Sequence, residues 1–109
     1  MNKRTIGLAQ QPSDIELSVV IPMHNSATVI EHTITRWLDR LTHGNNELIL
    51  VENGSSDDTW EIAQKLSRAT PNVSFKTLQS EKGMGNALSA GISVSSGKYV
   101  LLSADDLPF

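Results

Sequence analysis

From residue 17 onward the chain alternates between two hydrophobic periods. Short β-branched and aliphatic runs at 17–21, 47–51, 73–78 and 99–102 predict four strands. Between the first two, Ile30, Ile34, Trp37, Leu38 and Leu41 recur at three- and four-residue steps, which places them on one face of a helix. Gly44 then stands where a left-handed residue commonly closes a helix. A second helix should open at Asp58, with Glu61 as its capping-box partner and Ile62, Ala63 and Leu66 inward. It should stop at Thr70-Pro71, because the residue before a proline is pushed out of the helical region. A third helix should run from about Asn86 through Val94 and bury Ala87, Leu88, Gly91 and Ile92. Residues 1–16 lack such periodicity and read as a loose N-terminal arm.

The order β-α-β-α-β-α-β predicts an α/β protein with parallel strands and helices on the faces of the sheet. The second and fourth strands are continuously apolar, as expected of strands covered on both sides. Ligands of such sheets lie beyond the carboxyl ends of the strands. Here those ends are 22–26, 52–58, 79–86 and 103–109, where polar and glycine residues gather.

Composition narrows the chemistry. The 109 residues suffice for one domain with a real core. Nine Lys and Arg against twelve Asp and Glu leave a net charge of −3, which argues against a nucleic-acid partner. The absence of cysteine excludes disulfides, zinc thiolates and a cysteine nucleophile. No apolar run is long enough for a transmembrane segment, and the N-terminal residues do not form a secretory signal. The expected location is cytoplasmic, including the cytoplasmic face of a membrane.

No phosphate-cradling loop with Lys-Ser or Lys-Thr is present, and the turn after the first strand lacks the glycines of a dinucleotide site. What remains is acidic. Asp105 and Asp106 follow an apolar strand, where two adjacent carboxylates repel each other unless a cation sits beside them. Mg2+ and Mn2+ take such carboxylates and complete their shell with phosphate oxygens. The alternative is that the pair caps a turn ahead of Pro108.

Four segments in order resemble the nucleotide-binding half of the family 2 glycosyltransferases, leaning toward the dolichol-phosphate mannosyltransferase-like branch. Ser18-Val19-Val20-Ile21-Pro22 with His24-Asn25 is similar to the family's first strand and Pro-x-(Tyr/His)-Asn turn. Glu52-Asn53-Gly54-Ser55-Ser56-Asp57-Asp58-Thr59 is similar to its Asp-Asp-Gly-Ser-Thr-Asp signature. Lys82-Gly83-Met84-Gly85-Asn86-Ala87 resembles its Lys-Gly-x-Gly-x-Ala segment, and residues 101–106 occupy the place of its Asp-x-Asp metal motif. Two departures stand out: Glu52-Asn53 replaces the paired acids, and Ser103 replaces the first metal-motif Asp.

The resemblance implies a three-layer, Rossmann-like GT-A half. Its activity would be sugar transfer from a UDP- or GDP-sugar, with a polyprenyl phosphate or a glycan as candidate acceptor classes. The implied donor site comprises Pro22, His24, Asn25, Glu52, Asn53, Gly54, Lys82, Gly83, Gly85, Ser103, Ala104 and Asp105, and Asp105 and Asp106 would hold Mg2+ or Mn2+. Glu52 would accept from the base or ribose, since Gly54-Ser55-Ser56 leaves the space above it open, and Lys82 would meet the diphosphate. Asp57 and Asp58 would serve the following helix, and Asn25 would hold its own turn or cap the first helix. The catalytic base would lie beyond Phe109, so residues 17–109 are expected to be a fragment. A non-catalytic or degenerate nucleotide-binding module is the competing expectation. A receiver-like signalling domain fits less well, because its acidic pocket should begin at the first strand.

Overall fold

A computed structural model of the chain describes residues 14–41, 44–70 and 73–103. Seven elements alternate as expected: β1 (Leu17–Met23), α1 (Ile30–Leu41), β2 (Asn46–Glu52), α2 (Thr59–Ala69), β3 (Ser74–Gln79), α3 (Met84–Val94) and β4 (Tyr99–Leu102). The strands form one parallel sheet in the order β3-β2-β1-β4. Residues 1–13, which make up most of the expected arm, and residues 104–109 lie outside the described residues.

Alternation along the two central strands assigns the layers. Val19, Ile21, Met23, Leu48 and Leu50 point to one face, where Ile30, Ile34, Trp37 and Leu41 of α1 and Ala63 of α2 cover them. Val20, Ile49 and Val51 point to the other, against Ala87 of α3. The three-layer α/β/α arrangement follows, since each helix can bury only one stripe. α3 lies close because Gly91 has no side chain: a Cβ there would collide with Val20 and come within 3.1 Å of Val51.

Five expectations need correction. β4 is apolar but not covered on both sides. As the edge strand among the described residues it leaves Tyr99 64%, Val100 39%, Leu101 42% and Leu102 46% exposed. An apolar tetrad reports its side chains, not which layers reach it. Ile92 is likewise 46% exposed, because α3 lies on the sheet through Ala87 and Gly91. α3 also starts two residues early, at Met84, so Gly85 belongs to its first turn.

Asp58 is the N-cap residue of α2 but makes no side-chain cap hydrogen bond. Asp57 does that work instead, accepting from the Thr59 N–H at 3.0 Å. Finally, Pro22 lies inside β1 rather than at its exit. The Val20 carbonyl accepts from Ser103 and the Met23 carbonyl from Asn53, so alternate β1 residues face β4 and β2. Pro22 shares the phase of Val20, two residues beyond the last β1–β4 pair, Val20 with Leu102. A missing N–H is tolerated there.

Candidate functional site

The strand order reverses at β1, so the crevice beyond the carboxyl ends of β1 and β4 is where an open α/β sheet takes a ligand. Three strand ends form a continuous rim beside it. The Asn53 N–H donates to the Met23 carbonyl at 2.9 Å, and the Ser80 N–H donates to the Glu52 carbonyl at 2.9 Å. Ser103, at the end of β4, donates its N–H to the Val20 carbonyl at 2.9 Å.

The loop after β1 is clasped to the loop after β2. Asn25 takes a left-handed conformation, φ +51°, which asparagine tolerates better than most residues. Its Oδ1 accepts from the Ser56 N–H at 2.8 Å and the Ser56 hydroxyl at 3.2 Å, and its N–H donates to Ser55 Oγ at 2.9 Å. Asp57 accepts from the Ala27 N–H at 3.1 Å and from the Thr59 hydroxyl. Thr59 Oγ1 in turn accepts from the Ser26 N–H at 2.8 Å. The expectation that Asn25 holds its turn is met, though through partners some thirty residues away.

His24 sits exposed on this rim, with Nδ1 3.0 Å from the Asn53 carbonyl oxygen. A carbonyl only accepts, so Nδ1 is the donor in this bond, and Nε2 lies 3.4 Å from Asn25 Nδ2. Asn53 itself is buried.

Glu52 differs from its expected surroundings. It is 3% exposed rather than open above, and one carboxylate oxygen accepts from the Ser55 N–H while the other accepts from Gln79 Nε2 at 3.1 Å. Burial raises its carboxyl, but the Ser55 and Gln79 bonds and the nearby His24 outweigh that and hold it below the ordinary range. The Thr59 hydroxyl, with further bonds from the Ala27 and Thr59 amides, lowers Asp57 in the same sense. Groups depressed in the folded state stabilise it fully above their unfolded values and lose that contribution as pH falls through their folded values. The urea midpoint should therefore drop between pH ~7 and pH ~3, and more for the parent than for Glu52→Gln. Equal drops would remove Glu52 as a source.

Gly54 joins the third segment to the rim. Its φ is +82°, and a Cβ there would lie 3.3 Å from Lys82 Cβ and Cγ, so the lysine stem runs along bare backbone. Lys82 is exposed, and Gly83 has φ +124° at the N-cap of α3. No acidic residue occupies the first turn of α3, unlike α1 with Glu31 and α2 with Glu61. The positive end of its dipole is therefore uncompensated within the helix.

Thus Pro22, His24, Asn25, Glu52, Asn53, Gly54, Lys82, Gly83, Gly85 and Ser103 all lie at one end of the sheet. Ala104, Asp105 and Asp106 are outside the described residues. Among the described residues no three His, Asp or Glu side chains group as a metal centre. Ser55 and Ser56 belong to the motif after β2 but, like Gln79, carried no expected contact; the signal for Gln79 is only its place at a strand end.

No helix among the described residues is long and apolar enough to cross a membrane. The chain is 35% identical over 92 residues to a dolichol-phosphate mannosyltransferase of Pyrococcus furiosus, covering 84% of this chain and 26% of that protein. A mannosyltransferase of Pyrobaculum calidifontis, solved with GDP-Man and Mn2+, superposes with a TM-score of 0.74 at 19% identity, over 89% of this chain and 31% of that one. A glucosyl-3-phosphoglycerate synthase of Mycobacterium tuberculosis, solved with Mn2+, UDP and glucosyl-3-phosphoglycerate, superposes at 0.61 with 25% identity, over 87% and 35%. The chain spans 29%, 26% and 30% of the first three curated relatives. Its parallel sheet is the Rossmann-like half of the GT-A fold. The model of glycosyl transferase family 2 matches residues 18–109, and the chain belongs to that family.

Proposed function

We propose that this chain is the donor-binding portion of a glycosyltransferase that moves a sugar from a UDP- or GDP-sugar to an acceptor such as a polyprenyl phosphate or a glycan. The observation that carries the reading is the rim itself. Three strand ends are tied together beside the switch point, with Lys82 packed along Gly54 at the unbalanced N-terminus of α3. Uncompensated first-turn N–H groups and an exposed ammonium are what a diphosphate needs. Relatives solved with GDP-Man, or with UDP and Mn2+, support the same reading.

In this reading the base and ribose lie over His24, Asn53 and Glu52, and the diphosphate faces Lys82, Gly83 and Gly85. Glu52 has acceptor capacity left on both oxygens, because each carboxylate oxygen takes more than one donor. Asp105 and Asp106 are the proposed metal ligands, two hard oxygen donors whose chemistry fits Mg2+ or Mn2+. A cation held there would supply charge to offset the diphosphate as it departs.

Calorimetry with UDP and GDP, in Mn2+ and then in excess chelator, tests the reading. No binding of either nucleotide in Mn2+ would overturn it. Lys82→Ala should weaken the diphosphate by about ten- to a hundredfold, the size of one lost charge-assisted contact, and leave uridine or guanosine nearly unchanged. Glu52→Ala should weaken nucleoside and diphosphate alike.

A further inference from the structure

Glu47 is a buried acid at the end of the sheet opposite the rim, and nothing in the donor site uses it. It stands near the start of β2, 1% exposed, and its partners come from three other parts of the chain. Oε2 accepts from the Ser18 hydroxyl of β1 at 2.6 Å and from the Ser96 N–H at 2.6 Å. Oε1 pairs with Lys76 Nζ of β3 at 3.1 Å. Lys76 also donates to the Val94 carbonyl at 2.6 Å and to Ser96 Oγ at 2.8 Å, and Ser18 Oγ accepts from the Gly97 N–H at 2.8 Å. Together these bonds tie β1, β2 and β3 to Val94 at the end of α3 and to Ser96 and Gly97 in the connection that leads into β4. Gly97 has no room to move inward, since a Cβ there would lie 2.6 Å from Ser18 Oγ and 2.7 Å from the Ser18 nitrogen.

β4 is where such an anchor matters. Among the described residues it is four residues long, at the edge of the sheet, exposed along its length, and paired with Leu17–Val20 of β1 alone. An exposed edge strand with little packing is weakly held in register, and a slip of one residue moves the chain by about 3.3 Å and exchanges its faces. The same chain continues from β4 through Ser103 to Asp105 and Asp106. Directional bonds at the start of the strand therefore do what side-chain burial does for β1 and β2.

We propose that Glu47 is a positioning residue: with Ser18 and Lys76 it clamps residues 94–97 and so fixes the register of β4, from which the two metal-binding acids follow. The clamp stands on its own geometry, while its functional consequence rests on the proposed metal role of Asp105 and Asp106.

The test separates the two. Glu47→Gln and Lys76→Met are compared with the parent and with Asp105→Asn in the full chain, by amide hydrogen exchange and by electron paramagnetic resonance of added Mn2+ with GDP or UDP. Lys76 is partly exposed, so Lys76→Met keeps the question open should Glu47→Gln fail to fold. The clamp requires faster exchange of the Ser96–Leu102 amides, by about tenfold or more, with β2 unchanged. It also requires Mn2+ affinity to fall by a similar factor while binding of uridine or guanosine persists. A merely structural role would lower exchange protection everywhere and weaken nucleoside and Mn2+ together. Unchanged β4 exchange in both variants overturns the clamp. Fast β4 exchange with unaltered Mn2+ affinity overturns its link to the metal, provided that Asp105→Asn loses Mn2+. If Asp105→Asn keeps Mn2+, the metal reading fails, and the positioning role fails with it.

Discussion

Asp105→Ala should remove the metal-dependent part of nucleoside diphosphate binding, and Asp106→Ala should weaken it. The expectation follows from charge. Asp105 and Asp106 follow β4 closely in sequence, so in the proposed site a diphosphate would meet two adjacent carboxylates. Lys82, the cationic side chain at the rim, is a single charge and cannot offset both acids along with the phosphates. A divalent cation between carboxylate and phosphate turns that repulsion into ligand bonds. Without Asp105 a cation would lose one of the two proposed carboxylate ligands, so added Mn2+ should change affinity by less than about twofold, whereas in the parent it should change it by more than about tenfold. Calorimetric titrations of GDP and UDP with Mn2+ and with chelator read both numbers. Binding that is indifferent to chelator in the parent would reduce the acidic pair to a turn. The control is Asp39→Ala, an exposed acid on α1 on which no proposed contact rests. It should bind as the parent does.

The parts of this molecule that were legible in the sequence are those where one element decides its own burial. The α1 stripe of Ile30, Ile34, Trp37, Leu38 and Leu41 is a 3.6-residue period that the residues themselves carry; four are buried, and Leu38 packs partly buried against the same cluster. β1 and β2 read correctly because central strands of a parallel sheet are covered on both faces, and apolar runs satisfy both. β4 carries the same pattern and is exposed, because among the described residues it has a neighbouring strand on one side alone, which its own sequence does not report. The start of α3 was obscured by glycines. Lys82-Gly83-Met84-Gly85 reads as loop, yet only Gly83 has positive φ and the helix begins immediately after it.

The rim was legible as positions and not as contacts. Glu52 looked like an open strand-end acid, and its burial depends on Ser55 folding back and Gln79 arriving from β3. Asp57 was recognisable as a helix-start acid because that job is local, while the clasp of Asn25 on Ser56 spans two loops. Glu47 was the hardest to see. A glutamate opening an apolar strand reads as solvated until the fold brings Ser18, Lys76 and Ser96 around it.

Two glycines of α3, six residues apart, should answer the same kind of substitution in opposite ways. Gly91 faces the sheet, and any Cβ there overlaps Val20 and crowds Val51. Helix propensity alone would favour alanine by about 0.8–1 kcal/mol, but overpacking a tight contact costs about 1–3 kcal/mol, and neither valine can withdraw from its central strand. Gly91→Val adds branching to the clash, so it should destabilise by at least the upper end of that range. A cost of ~3 kcal/mol lowers the melting temperature by more than about 10 °C in a chain of this size. At Gly85 a Cβ would meet no atom within 4 Å, and the backbone there is ordinary helix. Gly85→Ala should therefore raise the melting temperature by a few degrees, up to about the propensity difference. If the diphosphate approaches the first turn of α3, that same methyl group should weaken GDP and UDP binding in the stabilised protein. Thermal melts with and without nucleotide measure both effects on one sample. A Gly85→Ala protein that is more stable and binds as tightly as the parent would move the phosphates away from α3, and a Gly91→Val protein that melts like the parent would show that the helix does not rest on the sheet through that residue.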